Sequence, residues 1–301
     1  MTTLTNLAPA PVIDETARLL TEHYVFPETA EQLAGLLRRR LAEGAYDVDD
    51  AEELAQLVTA DLQSVNGDRH LRLKHHADPV PPKQGAATRD AMRREFDTSL
   101  GGAPRAQLLD GGVAVVELAP MLFPLEWAAE PLSAALTLAS RAQALIVDLR
   151  ANRGGDPDTV AFVCGYLLDE RTHLNTMYWR GGERGEQSWS LPHVPGARFG
   201  GSKPLYVLSS NSTFSAAEEL AYDLQQLGRA LVVGERTRGG AHPCDGWTVH
   251  PHLEVTVPVG RAVNPVSGTN WEGTGVQPDI PCAAADSLDR AHALALARLA
   301  G

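Results

Sequence analysis

Apolar positions along the chain change period near residue 105. Before it the spacing is helical. Val12, Ala17, Leu19, Leu20 and Tyr24 line one stripe of a segment that ends before Pro27. Leu33, Leu36, Leu37 and Leu41 predict a second helix over Ala30–Leu41, and Leu54, Leu57, Val58 and Leu62 a third over Asp50–Val65. The Asn66-Gly67 turn follows, then alternation across His70–Lys74 that predicts a short strand. After residue 105, β-prone apolar runs alternate with helical ones. Val113–Leu118, Ala144–Leu149, Leu205–Ser209 and Leu231–Val233 read as strands. Pro131–Ser140, Pro157–Leu168 and Ser215–Leu227 read as helices, and strand-like Leu253–Val259 and a closing helix Ser287–Leu299 follow. Residues 171–203 are strand- and loop-like, with Trp179 and Trp189 expected in the core.

This order predicts an α/β protein with a largely parallel sheet. Three domain-level segments are expected: a helical N-terminal domain at 1–76, a Pro- and Gly-rich linker or flap at 77–104 with a short charged helix near Arg89–Phe96, and an α/β domain at 105–301. Leu205–Ser209, Ser215–Leu227 and Leu231–Val233 form a strand–helix–strand unit, so its two strands should be parallel. If Ala144–Leu149 is parallel to them, the loops after both strands lie on one edge of the sheet, where α/β proteins bind ligands.

Ser215 stands where strand hands over to helix. A hydroxyl there meets backbone N–H groups and the positive end of a helix dipole, which suits a nucleophile that generates an oxyanion. Ser215-Ala216-Ala217-Glu218 is equally a capping box. Gly154-Gly155 permits close approach of backbone N–H groups to a substrate oxygen, or simply a tight turn. His70 alone reads as a turn histidine, and Glu272 as a solvated carboxylate between Trp271 and glycines.

Composition narrows the partners. The 301 residues are 44% hydrophobic and carry a net charge of −12, which argues against nucleic acid and anionic membranes. Three dispersed cysteines imply neither a disulfide framework nor a metal motif, so no cofactor and no metal are expected. No secretion signal or membrane-spanning run is read, and a cytoplasmic location is the expectation.

Taken in order, five motifs resemble the S41 serine peptidases, which include the tail-specific and tricorn-core proteases. The motifs are Gly67-Asp68-Arg69-His70-Leu71, Asp148-Leu149-Arg150 with Gly154-Gly155, Ser212–Glu218, Gly234-Glu235-Arg236-Thr237 with Gly239-Gly240, and Trp271-Glu272-Gly273 with Gly275-Val276. The branch they are most similar to contains bacterial proteins like interphotoreceptor retinoid-binding protein. The resemblance implies a crotonase-like catalytic domain, Ser215 as nucleophile, His70 as base titrating near neutrality, Glu272 as its orienting acid, and an oxyanion hole from Ala216 and Gly154 or Gly155. Tail-specific proteases place a lysine after the Gly-Glu-X-Thr motif. Here that stretch reads Arg238-Gly239-Gly240-Ala241, so a histidine must serve, with His242 as the alternative base. No PDZ domain is expected. The implied substrate is a peptide or small acyl compound. A retinoid or lipid carrier, and a hydrolase or acyl transferase acting on a small metabolite, are the alternatives. Assembly into a homo-oligomer stays open.

Overall fold

The computed structural model describes residues 7–80, 86–182 and 184–301. Residues 81–85, which supplied part of the expected linker, lie outside them. The helix Ala86–Thr98 occupies the stretch where a short charged helix was expected. The chain divides into two compact units, residues 1–89, 177–185 and 242–262, and residues 90–176, 186–241 and 263–301.

In the first unit three helices, Pro9–His23, Pro27–Ala42 and Ala51–Gln63, carry the predicted stripes. Proline starts the first two, where its missing N–H costs nothing, and Asp50 caps the third by accepting from Glu53 N–H at 2.8 Å. The apolar stripes close on an antiparallel sheet ordered Arg72–His75, Leu253–Pro258, Cys244–His250. Ile13, Leu20, Leu33, Leu54 and Leu62 are buried there together with Leu73, Val255 and Val257. Arg180 donates to the carbonyls of Thr21 and Tyr24, satisfying acceptors left over at the end of the first helix.

The second unit holds a six-stranded sheet. Its order is Ile280–Pro281, Leu231–Gly234, Leu205–Ser209, Ala144–Asp148, Val113–Glu117, Arg105–Leu109. All neighbours are parallel except the last pair. Every residue of Ala144–Asp148 and Leu205–Ser209 is buried, which explains why these strands read as continuous apolar runs rather than alternating ones. One face, with Val113, Val115, Ile146, Tyr206 and Leu208, packs on Ala291 and Ala295 of the helix Ser287–Ala300. Helices Leu125–Ala139, Pro157–Leu167 and Ala216–Gln226 pack in sequence against one another.

Two local expectations are corrected. The helix expected to begin at Pro131 begins at Leu125, so Pro131 lies inside it. Its ring fills the place of a missing side chain, since a Cβ on Gly101 would come within 2.3 Å of Pro131 Cγ. Trp179 is 38% exposed rather than core. Trp189 is half-buried, stacked on His173 and capped by the Arg171 guanidinium.

The helix Ala216–Gln226 buries three carboxyls, two of them, Glu219 and Asp223, one turn apart. Asn175 Nδ2 donates to Glu219 Oε1 at 3.2 Å and to both Asp223 oxygens at 3.0 Å, and Asn264 Nδ2 donates to Asp223 Oδ1 at 3.0 Å. Burial pushes Glu219 up to about 7, and burial with the neighbouring Glu219 charge pushes Asp223 well above the carboxylate range. The native state thus holds protons that the unfolded chain releases near pH 4. The stability this gives is full below that pH and is lost as pH rises through the raised native values. The loss has a limiting slope of about 1.4 kcal/mol per pH unit for one proton. Urea midpoints at pH 5 and pH 8 should therefore show Asp223→Asn gaining on wild type as pH rises. A gap independent of pH would contradict the assignment.

Candidate active site

The parallel pairing of Ala144–Asp148 with Leu205–Ser209 brings the loops after both strands together, as the sequence led one to expect. Thr213 Oγ1 donates to Leu149 O at 2.9 Å, Ser210 Oγ to Arg150 O at 2.6 Å, and Phe214 N–H to Asn152 O at 3.2 Å. Asp148 and Arg150 close the first loop through a two-point ion pair at 2.9 and 2.6 Å.

Ser215 ends this turn at φ 56°, ψ −127°. Among the described residues only Leu100 shares a positive φ without being glycine. Such a conformation costs a residue with a Cβ about 1–3 kcal/mol. An ordinary N-cap sits in the β region. Helix capping therefore gives no reason for the strain, whereas presentation of the side chain at a sharp strand-to-helix turn does. The carboxylate half of the capping box is present, with Ser215 N–H donating to Glu218 Oε2 at 2.8 Å.

Gly154 lies against Ser215. A Cβ on it, at φ 106°, would fall 2.7 Å from Ser215 Cβ and 3.3 Å from Ala216 N. Its own N–H is taken, because Asn152 Oδ1 accepts it at 2.9 Å while Asn152 Nδ2 donates to Leu118 O. Of the three donors expected for an oxyanion hole, Gly154 is thus engaged. Gly155 and Ala216 N–H have no acceptor among the described residues. Gly155 is fixed by Leu122, whose carbonyl would meet a Cβ at 1.9 Å.

Glu218 is fully buried. Its Oε1 accepts from Thr237 Oγ1 at 2.5 Å and Gly239 N–H at 2.6 Å, and its Oε2 from Ser215 N–H and, at 2.9 Å, Gly240 N–H. Burial pushes its carboxyl up to about 7 against the pull of these donors. The next residue, Ala241, donates its N–H to Glu272 Oε2 at 2.5 Å, and buried Trp271 donates Nε1–H to Gly240 O at 2.8 Å. Glu272 is half-buried and hydrogen-bonded in its loop, not a free turn charge.

His70 and His242 belong to the first unit and are both buried. Asp68, to which the motif it shares with His70 assigned no role, joins them. Its Oδ2 lies 2.8 Å from His242 Nδ1 and accepts from Tyr24 OH at 2.9 Å, while Oδ1 accepts from His70 N–H at 3.1 Å. Its one sequence signal is its place two residues before His70 in a turn. Burial pushes His70 down to about 4, with Asp68 pulling the other way and Arg72, His242 and Lys74 adding to the fall. The sequence expectation of a base titrating near neutrality does not anticipate this burial.

Ser215 thus stands strained at a strand-to-helix turn with Gly154 packed against it. Residues 113–282 match the model of peptidase family S41, and residues 3–98 match the N-terminal domain of that family in eukaryotic IRBP. The chain belongs to peptidase family S41 and is a serine-type peptidase. Solved structures with a similar fold include a protein from Parabacteroides merdae ATCC 43184 (TM-score 0.69, 18% identity, 97% of this chain and 98% of that one). The photosystem II D1 C-terminal processing protease is similar at TM-score 0.55 and 18% identity over 93% and 94% of the two chains. The tricorn protease matches at TM-score 0.61 and 14% identity over 96% of this chain and 36% of its own. Among the described residues no helix is long and apolar enough to cross a membrane.

Proposed function

We propose that this protein cleaves peptide or related acyl bonds through an acyl-enzyme on Ser215. Ser215 Oγ attacks the carbonyl carbon as His70 takes its proton. The tetrahedral oxyanion is met by the N–H groups of Gly155 and Ala216. Collapse expels the amine, which His70 protonates, and water then releases the acyl group by the same route. Glu272 orients the imidazole and balances its charge in the transition state. The catalytic unit is read as a crotonase-like core, in keeping with its parallel strand–helix repeats. The carrying observation is the strained Ser215 with Gly154 packed against it and the unengaged N–H of Ala216 next in the chain. A carrier of retinoids or lipids has no use for that strain.

His242 stays in view as the base for one reason: Asp68 holds its Nδ1 at 2.8 Å, which fixes the ring and its tautomer. With a chromogenic peptide or activated ester, pre-steady-state kinetics should give a burst of leaving group equal to the enzyme concentration. Turnover with no burst, unaffected by Ser215→Ala, would count against the acyl-enzyme.

A further inference from the structure

Glu218 does more than cap a helix. A capping-box glutamate reaches one backbone N–H, that of the N-cap residue. Here four donors from two separate segments converge on one buried carboxylate: Ser215 N–H, Thr237 Oγ1–H, Gly239 N–H and Gly240 N–H. A carboxylate offers about four lone-pair sites. All are filled, so Glu218 has no capacity left to act as a base.

We infer that Glu218 is a positioning residue that aligns Ser215 and Glu272 with a single carboxylate. The inference rests on the reading of Ser215 as nucleophile and Glu272 as the orienting acid. On one side, the bond to Ser215 N–H helps hold a backbone conformation that a serine does not keep unless its surroundings impose it. On the other, Gly240 is clamped between Glu218 Oε2 at its N–H and Trp271 Nε1 at its carbonyl. The next N–H, from Ala241, reaches Glu272 Oε2 at 2.5 Å. Trp271 and Glu272 are consecutive, so a shift of Gly240 moves the acid as well. Gly239, at φ 89°, has no room to absorb such a shift, since a Cβ on it would come within 2.9 Å of Gly275 N. Glutamine is the informative replacement. It keeps the shape but turns an NH2 toward either two N–H donors or a hydroxyl and an N–H, so one side of the clamp must open.

The test is steady-state kinetics with each enzyme normalised to the Ser215 that a fluorophosphonate titrates. Glu218→Gln should lower kcat about 100-fold with KM within about threefold of wild type, the scale of a misplacement near 1 Å. Thr237→Val removes one donor and leaves the carboxyl in place, and should lower kcat about tenfold; it also decides the matter if Glu218→Gln does not fold. A purely structural carboxylate would reduce the titratable fraction and leave kcat per titrated site unchanged. Glu218→Gln within threefold of wild type per site, or an unchanged Thr237→Val where Glu218→Gln is unfolded, overturns the inference while the nucleophile reading stands. A wild type that is not labelled at Ser215 overturns that reading and this inference with it.

Discussion

Ser215→Ala is expected to fold and to lose roughly 10,000- to 1,000,000-fold in kcat, the scale seen when a serine nucleophile is removed. A residual rate over water would remain from the Gly155 and Ala216 donors and from substrate binding. Stability separates a strained nucleophile from a helix cap. A capping serine predicts that alanine costs about 1 kcal/mol and leaves catalysis alone. The strained backbone predicts a further result. Alanine keeps the Cβ and therefore the strain at φ 56°, whereas glycine removes it. Ser215→Gly should be as inactive as Ser215→Ala yet more stable than it, by about 1 kcal/mol once the extra freedom of glycine in the unfolded chain is counted. Thermal or urea unfolding of the two variants reads the difference. A glycine variant less stable than the alanine variant would show that the turn is not strained.

His70→Ala carries the second large effect. Loss of a general base costs about 100- to 10,000-fold. His242→Ala should lose little if His70 is the base, and Glu272→Gln should fall between, since the amide removes a charge but can still accept a hydrogen bond. The pH profile adds a sign. A base must be unprotonated to work, and burial holds His70 down to about 4. Activity carried by His70 should therefore persist well below pH 6.5 and fail only as pH drops toward that value. A dead His242→Ala beside a nearly normal His70→Ala would move the base to His242. Asp68→Asn should then be nearly as damaging as His242→Ala, because Asp68 holds that ring.

Much of the architecture is legible in the chain, for physical reasons. Ala144–Asp148 and Leu205–Ser209 are buried on both faces, so their unbroken apolar runs announce parallel strands. Their shared direction suffices to bring the Asn152–Asp156 loop to Ser215. Other features depend on what meets in space and leave no local trace. Nothing in the spacing shows that residues 177–185 and 242–262 join the N-terminal helices, because strand pairing such as Leu73 with Val255 spans most of the chain. Pro131 looks like a helix start, yet a helix that begins at Leu125 runs through it where Gly101 leaves room for the ring. The Gly154-Gly155 pair is visible, but which N–H remains available depends on Asn152, a side chain that sequence offers only as a loop residue. The capping box is likewise visible, and conceals that Glu218 has three more donors from a segment some twenty residues on.

The proposed mechanism requires Ser215 to form a covalent bond to the acyl group. Incubation with a fluorophosphonate, followed by peptide mass spectrometry, examines that atom directly. One adduct per chain is expected on Ser215, formed by the wild type and absent from Ser215→Ala. A wild type whose Ser215 stays unmodified, under conditions where a control serine hydrolase is fully labelled, would contradict it.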